Sequence, residues 1–451
     1  MVRDENGEPK EPEWPEADVI VGNPPFLGGN KIRAELGGEY VEDLFELYKG
    51  CVPAFADLVC YWFERARRQV EEGKARRVGL LATNSIRGGV NRRVLERTKD
   101  TGDIFFAESD RPWILNGAAV RVSMVGFDNG SESEKRLGGA PVQKINADLT
   151  GDLELSAAQR LNENAGLCFY GSQQKGSFDI TPAQAKELLA EPNPFGLDTK
   201  QVVRPATNGA QLLRRTSETW VIDFGVSMSL EEAALYEAPF EYVKRVVYPE
   251  RQNRSEKRQR EYWWLHARPS PRYRKIIESQ ALYMASPVVS KHRIFVWLDR
   301  NVLADHQLVV FALEDNYSFG VLHSRAHELW ALRMGTFLGV GNDPRYTPTT
   351  CFETFPFPEP NEEQRAEISA AAKRLDELRR NWLNPEGASE AELKKRTLTN
   401  LYNQRPTWLA NAHARLDAAV YAAYGWPADL PDEEVLKNLL ALNLERFQNE
   451  G

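Results

Sequence analysis

The tetrapeptide Asn23-Pro24-Pro25-Phe26 directly follows an apolar run, residues 18–22, that predicts a buried strand. In an open α/β sheet, ligands bind beyond the carboxyl ends of the strands. The two prolines remove two backbone donors and fix φ, so the carbonyl groups nearby are held rigidly as acceptors. We therefore expect the side-chain oxygen of Asn23 and the carbonyl oxygen of Pro24 to form an acceptor pair at the end of the strand.

Such an acceptor pair favours the alkylation of an amino group on an aromatic ring. The lone pair of that nitrogen is delocalised into the ring, which makes it a poor nucleophile. Two acceptors that hold its hydrogens localise the lone pair, and they stabilise the positive charge that develops during alkylation. Phe26 offers a flat apolar face to a base taken out of its stack. The alternative interpretation is an ordinary turn that ends the strand, with a packing phenylalanine.

Strands and helices alternate over residues 18–127, around the tetrapeptide. Apolar runs predict strands, and apolar residues at helical spacing over residues 56–70 predict an amphipathic helix. The predicted strands are residues 18–22, 78–84, 104–106 and 120–127. This order indicates an α/β fold with a parallel sheet. Only 17 residues precede the first strand, too few for the first half of a doubly wound sheet.

Residues 18–26 resemble motif IV of the gamma-type, S-adenosylmethionine-dependent amino-methyltransferases of DNA. Asn in the first place of the tetrapeptide is typical of those that act on adenine N6. Later segments keep the order of the family: residues 57–66 resemble motif V, 78–84 motif VI and 118–127 motif VIII. The segments 319–330 and 345–358 resemble the target-recognition region of type IIG/IIL restriction-modification enzymes, and 416–426 with 439–446 resemble their C-terminal segment.

The resemblance implies a site-specific adenine-N6 methyltransferase whose residues Asn23, Pro24, Pro25 and Phe26 hold a flipped adenine. It also implies the C-terminal half of a class I, Rossmann-like sheet. Trp113 fits the position of a second aromatic residue on the other side of the base, and an ordinary buried tryptophan is an equal alternative. Trp62 lies where the family packs an aromatic ring against the adenine of the cofactor, although its place on an apolar helix face favours a core residue.

The family's Gly-rich cofactor loop, and the acidic residue that ends its next strand, have no counterpart upstream of Asn23. We therefore expect the C-terminal portion of a longer enzyme, which binds S-adenosylmethionine poorly unless a separate polypeptide supplies the N-terminal half. A split subunit and a truncated remnant both stay open. So does a non-catalytic DNA-binding specificity subunit, which is the alternative function.

Residues 244–275 carry eleven Lys/Arg against three Glu, in a chain whose net charge is −8. Basic residues at this density favour double-stranded DNA as partner, since neutralising its phosphates releases counterions. The alternative is a solvated basic helix over residues 251–260 that Trp263 and Trp264 anchor to the core. The predicted DNA contacts, with two from the next basic stretch, are Arg251, Arg254, Lys257, Arg258, Arg260, Arg268, Arg272, Tyr273, Arg274, Lys275, Lys291 and Arg293.

The remaining patterns predict three domains and a cytoplasmic location. The domains are a partial methyltransferase domain (1–130), an α+β target-recognition domain (131–360) and a helical domain (361–451) with helices over residues 363–382, 388–403, 408–424 and 432–447. Four cysteines without a CxxC pair, an acidic N-terminus and the lack of an apolar run of about 20 residues argue against disulfides, secretion and membrane insertion. No metal is expected, because His323 and His327, spaced i,i+4, find no third ligand.

Overall fold

The computed structural model describes residues 2–3, 5, 9–115, 118–151, 153, 155–215, 218–338 and 343–450. The chain divides into two compact units: unit 1 comprises Met1–Ala157 and Arg333–Arg345, and unit 2 comprises Ala158–Leu332 and Tyr346–Gly451. The C-terminal helices therefore belong to unit 2. Whether they fold on their own is a separate question, so the division into three domains stays a prediction.

The strands are numbered in chain order. They are β1 (Val2–Arg3), β2 (Pro9–Lys10), β3 (Ala17–Gly22), β4 (Ala75–Thr83), β5 (Asp103–Leu115), β6 (Ala118–Asp128), β7 (Lys135–Leu137), β8 (Ala140–Val142), β9 (Cys168–Tyr170), β10 (Asp179–Ile180), β11 (Val203–Thr207), β12 (Thr219–Ile222), β13 (Leu282–Pro287), β14 (Val296–Asp299), β15 (Leu303–Ala304), β16 (Leu308–Phe311), β17 (Thr336–Leu338) and β18 (Asp343–Arg345).

The helices are numbered in the same way. They are α1 (Gly29–Leu36), α2 (Gly38–Leu47), α3 (Val59–Glu71), α4 (Arg93–Thr101), α5 (Pro182–Ala190), α6 (Gly209–Leu213), α7 (Leu230–Ala234), α8 (Glu237–Gln252), α9 (Lys257–Glu261), α10 (Pro271–Ser279), α11 (Asn316–His323), α12 (Arg325–Met334), α13 (Glu362–Leu383), α14 (Glu390–Lys395), α15 (Leu398–Gln404), α16 (Thr407–Tyr424) and α17 (Asp432–Asn449). A short 3₁₀ helix, Asn84–Arg87, follows β4.

Unit 1 is built on a six-stranded sheet in the order β3-β4-β6-β5-β7-β8. All four strands predicted from the sequence are present, and β3 and β4 are parallel. The expectation of a parallel sheet is wrong for β6, which is antiparallel to both β4 and β5. The reason is the connection: β5 pairs with β6 from Leu115 opposite Ala118, whereas parallel neighbours need a crossover of about a dozen residues.

Helix α3 covers one face of this sheet. Its buried residues, which include Phe63 and Ala66, share a core with Val78 and Leu80 of β4. This packing explains why the helix is amphipathic.

Unit 2 combines two four-stranded sheets, β10-β12-β11-β15 and β14-β13-β16-β9, with the C-terminal helices. Helix α13 packs against α11 and α16, and Gly320 permits the approach because a Cβ there would lie 2.8 Å from Ile368 Cγ2. Three of the four predicted C-terminal helices are confirmed. The one predicted over residues 388–403 is instead α14 and α15, because Thr397 caps a new helix with its side chain.

Across the described ranges, no helix is both long and apolar enough to cross a bilayer.

Candidate functional site

The tetrapeptide lies at the carboxyl end of β3, which ends at Gly22 opposite Leu80 of β4. Asn23 and Pro25 are exposed and Pro24 is buried. Phe26 is half-buried and packs against a small apolar cluster on the sheet, Leu81, Val122 and Met124. The strands β4 and β6 thus fix the ring, while the Asn23 side chain faces solvent.

Trp113 lies within β5, opposite Val120 of β6, and not in the turn where the sequence placed it. It is 37% exposed, so it is not an ordinary buried tryptophan. Because β5 and β4 both pair antiparallel with β6, β5 runs parallel to β3 and β4. Trp113, near the end of β5, therefore lies at the same edge of the sheet as Asn23.

Trp62 is also at the surface. It is 39% exposed, and its ring centroid lies 5.8 Å from that of Trp14. The buried face of α3 is formed by other residues, among them Tyr61 and Phe63. The interpretation of Trp62 as a core residue is therefore wrong, and its ring is accessible.

Sequence reasoning missed Asp57, which holds the loop that follows the tetrapeptide. The Gly29 amide donates to Asp57 Oδ1 at 3.0 Å. Ser85 Oγ and Asn91 Nδ2 donate to Asp57 Oδ2 at 2.6 and 2.9 Å. Asp57 lies inside the predicted helix, in the segment that resembles motif V, and nothing in that pattern singled out its carboxylate.

Most of the predicted DNA contacts in unit 2 are exposed. These side chains belong to Arg254, Lys257, Arg258, Arg268, Arg272, Lys275 and Lys291. Some are already bonded: Arg258 Nη1 donates to the Ala267 carbonyl at 2.8 Å, and Lys291 Nζ donates to Asn403 Oδ1 at 2.9 Å. Trp263 and Trp264 are buried, as the anchoring role predicts. The predicted continuous helix over residues 251–260 is wrong, because α8 ends at Gln252 and α9 begins at Lys257.

Three of the predicted DNA contacts are wrong because their side chains are buried. Arg274 forms a bidentate ion pair with Asp223, at 2.5 and 2.8 Å. Although burial alone would raise it, the pKa of Asp223 is held well below its ordinary value by Arg274 and His266. Tyr273 accepts from the Ala304 amide at 2.8 Å.

Arg251 is the third buried residue, and it lies at the end of α8. Its Nη2 donates to the carbonyls of Gln174 and Leu265 at 2.7 and 3.2 Å. Burial lowers the pKa of Arg251 to about 10. This guanidinium joins segments of the core and does not reach the surface.

Arg260 and Arg293 are half-buried and bonded within unit 2. Arg260 Nη1 donates to the Arg254 and Ser255 carbonyls at 2.6 and 2.8 Å. Arg293 donates to Ser286 Oγ at 3.1 Å and lies 4.9 Å from the Tyr346 ring centroid. Both guanidinium groups hold loops in place, and their contact with DNA stays a prediction.

The two histidines at i,i+4 spacing are buried and bonded to protein groups. His327 Nδ1 donates to the Leu322 carbonyl at 2.9 Å, and its Nε2 bonds to Tyr346 OH at 3.0 Å. His323 Nε2 accepts from the Phe295 amide at 3.1 Å. These contacts support the structural role that the sequence favoured.

Comparison with known families accounts for both regions. A family model described as "MmeI, DNA-methyltransferase domain" matches residues 4–138, and one described as "MmeI, target recognition domain" matches residues 171–359. The chain carries the methyltransferase and target recognition domains of MmeI-type enzymes. The tetrapeptide lies in the methyltransferase domain, and the basic segment 244–275 lies in the target recognition domain.

Individual relatives extend the likeness over nearly the whole chain. The chain is 26% identical over 453 residues to DNA methyltransferase A of Bacillus subtilis (strain 168), covering 94% of this chain and 47% of that protein. A structure of the type IIL restriction-modification enzyme MmeI in complex with DNA matches with a TM-score of 0.75 at 21% identity, covering 95% of this chain and 57% of MmeI. That match shows the shared fold. The chain spans about half the length of these relatives.

Proposed function

We propose that the chain is part of a site-specific DNA methyltransferase of a restriction-modification system, which methylates N6 of an adenine flipped out of double-stranded DNA. One observation supports this proposal: Asn23-Pro24-Pro25-Phe26 follows the carboxyl end of β3 within the residues that match the methyltransferase domain, and Asn23 is exposed. Ligands of open α/β sheets bind at such ends. The four cysteines are free, which agrees with a reduced, cytoplasmic setting.

In this proposal two residues of the loop bind the amino group of the adenine and aromatic rings stack on the base. Asn23 Oδ1 and the Pro24 carbonyl accept the two hydrogens of the adenine amino group, which localises its lone pair and stabilises the developing positive charge. The ring of Phe26, held by the sheet, stacks on one face of the base. Trp113, exposed at the same edge, stacks on the other. The chain would form no covalent intermediate, because the amino nitrogen would take the methyl group directly as the carbon–sulfur bond breaks, leaving a neutral thioether, and would release one of its protons.

The chain offers one aromatic surface that suits the adenine of S-adenosylmethionine. Trp62 is exposed beside Trp14, which suits stacking on the adenine of the cofactor. When bound, S-adenosylmethionine supplies the methyl group. In the family, a Gly-rich loop holds its remaining parts.

We further infer that a separate polypeptide pairs with β3 and supplies that loop. Among the described residues, β3 pairs only with β4, so the other edge of β3 is open. Val19 and Val21 of β3 are 53% and 80% exposed, whereas strands of parallel pairs are normally buried on both faces. An added strand with its helices would cover both valines and close the sheet edge.

Double-stranded DNA is the proposed partner of the target recognition domain. The exposed cations Arg254, Lys257 and Arg268 provide phosphate contacts, and such contacts position the duplex without reading its sequence. Affinity that depends on them falls steeply with salt.

The test combines the chain with a cofactor-binding half. The part of the Bacillus subtilis relative that this chain does not match is the first candidate for that half, co-expressed or fused. We expect N6-methyladenine in DNA digests analysed by mass spectrometry with the wild type and about 100- to 1000-fold less with Asn23→Ala. N4-methylcytosine as the product would overturn the choice of adenine.

The chain alone distinguishes the remaining outcomes. Tight binding of labelled S-adenosylmethionine to the isolated chain would overturn the inference of a second polypeptide. Salt-sensitive binding to duplex DNA that Asn23→Ala leaves unchanged, without methylation in any combination, would instead identify a specificity subunit.

A further inference from the structure

The loop that follows the tetrapeptide is packed tightly against the segment before α3. The Leu58 amide donates to the Leu27 carbonyl at 2.8 Å. A Cβ on Gly29 would lie 1.9 Å from the Phe55 carbonyl oxygen, so only glycine fits at this position. The backbone that leaves Phe26 is therefore fixed by its contact with residues 55–58.

Phe55 adopts a backbone conformation that is costly for its residue type. Its φ is 68°, in the left-handed region that disfavours residues with a Cβ. Such strain persists only where the surrounding structure imposes it, and it clusters at functional sites. Here it places the Phe55 carbonyl against Gly29.

Asp57 secures this arrangement with both oxygens of its carboxylate. Oδ1 accepts from the Gly29 amide, and Oδ2 accepts from Ser85 Oγ and Asn91 Nδ2. The Asp57 amide in turn donates to Asn91 Oδ1 at 2.9 Å. Ser85 also bonds to Thr83 Oγ1 at 2.6 Å.

The carboxylate thereby joins four segments of unit 1. These are the loop after the tetrapeptide, the residues just before α3, the 3₁₀ helix after β4 and the turn before α4. Hydrogen bonds to an ionised acceptor are shorter and stronger than those between neutral groups. All three donors are neutral groups, so the carboxylate of Asp57 strengthens these hydrogen bonds and forms no ion pair with them.

We propose that Asp57 is a positioning residue for methyl transfer, an inference that rests on the proposed function. It holds Gly29 and, through Leu27, the backbone on which Phe26 and Asn23 are mounted. Asp57 does not contact the base. Its effect is to keep the acceptor pair and the stacking ring in register with the amino group, and a displacement of about 1 Å at such a site costs about 100-fold in rate.

Steady-state kinetics of the assembled methyltransferase test this role. We expect Asp57→Ala to lower kcat about 10- to 100-fold, while KM for DNA and the dissociation constant for duplex stay within about twofold. Asp57→Asn should recover part of kcat, because its oxygen still accepts from Gly29 and its amide donates to Ser85 Oγ. The matched control is Asp100→Ala, an exposed aspartate at the end of α4, which should leave kcat unchanged.

A structural role alone gives a different result. Loss of kcat in proportion to a loss of folded protein and of DNA affinity, or no rescue by Asp57→Asn, would overturn the inference. If Asp57→Ala does not fold, Asp57→Asn and Ser85→Ala carry the test, and unchanged kcat in both would overturn it.

Hydrogen exchange separates this inference from the proposed function. In the isolated chain, Asp57→Ala should speed amide exchange in the peptide covering residues 24–31, while the rest of unit 1 stays protected. A wild-type enzyme without methyl transfer would defeat the proposed function. Unchanged exchange in residues 24–31 would defeat the role of Asp57.

Discussion

The tetrapeptide loop of unit 1 and the basic segment 244–275 of unit 2 differ in how well the local sequence predicts which side chains are exposed. Asn23 is exposed at the end of a strand, where the two prolines and the preceding apolar run predict it. In the basic segment, Arg272 is exposed and Arg274 is buried, although both are arginines on one short helix. The exposure of Asn23 follows from the rigid backbone of its own segment. The number of basic residues in a segment does not determine which of their side chains are exposed.

Helix geometry explains the division within α10. Residues three apart lie on one face of a helix, and Arg272 and Lys275 share the exposed face. Tyr273, Ile276 and Arg274 lie on the buried side, where Asp223 neutralises the guanidinium. The burial of Arg274 therefore depends on a carboxylate 51 residues away in the sequence.

The largest expected effect comes from breaking this buried pair. Arg274→Met leaves the Asp223 carboxylate buried without its partner, which costs about 3–5 kcal/mol of folding free energy. Denaturant unfolding measures it. Arg272→Met, two residues earlier on the exposed face, should change stability by less than about 0.5 kcal/mol. Equal effects of the two variants would remove the contrast between buried and exposed arginines.

Asn23→Ala tests the other side of the comparison. Loss of one acceptor should reduce methyl transfer by the assembled enzyme about 100- to 1000-fold, or about 3–4 kcal/mol in the barrier. Because Asn23 is exposed, the melting temperature should not change. A variant that melts early would show that Asn23 supports the fold instead of the reaction.

Acid should destabilise unit 2 before unit 1, since all six histidines lie in unit 2. Burial lowers the pKa of His266 and His413 to about 4 and that of His327 to about 3. A folded-state pKa below the unfolded value of 6.5 gives stability that is present above pH 6.5 and lost as the pH falls towards 4. For His266 the loss is on the order of 3 kcal/mol.

Three carboxyl groups of unit 2 oppose this loss, and one of them is Asp179, whose pKa is raised by burial. Burial raises the pKa of Asp305 and Asp417 to about 6, so their protonation favours the folded state as the pH falls through 6. We expect the histidines to prevail. Hydrogen exchange at pH 7.5 and pH 5, followed separately for the two units, measures the difference, and equal losses in both units would contradict it.

The smallest expected effect is on DNA affinity. Arg254→Ala and Lys257→Ala each remove one exposed cation, which should weaken duplex binding by about 1 kcal/mol and lower the slope of log K against log salt by about one. Lys373→Ala is the matched control, an exposed lysine on α13 in the same unit. If Lys373→Ala weakens duplex binding as much as the two test variants do, the basic segment contributes no more to DNA binding than any other exposed lysine.

The strands of unit 1 were predictable because short apolar runs bounded by turn residues mark buried strands. The reversal at β6 was predictable too, and the signal was missed. Residues 116 and 117 lie outside the described residues, but their sequence, Asn116-Gly117, is the strongest short-range hairpin signal. Trp62 could not be predicted in this way. Its helical spacing grouped it with the apolar residues of α3, but the spacing does not show which of them face the core, and Trp62 is exposed.

The tetrapeptide, its place after a strand and the basic character of residues 244–275 follow from local sequence, because they depend on backbone chemistry and composition. The burial of Arg251, Tyr273 and Arg274 and the bond from Gly29 to Asp57 depend on the folded chain. Each of these contacts needs a partner from a distant segment. Burial and hydrogen bonding are set by which segments meet, and no local pattern specifies that.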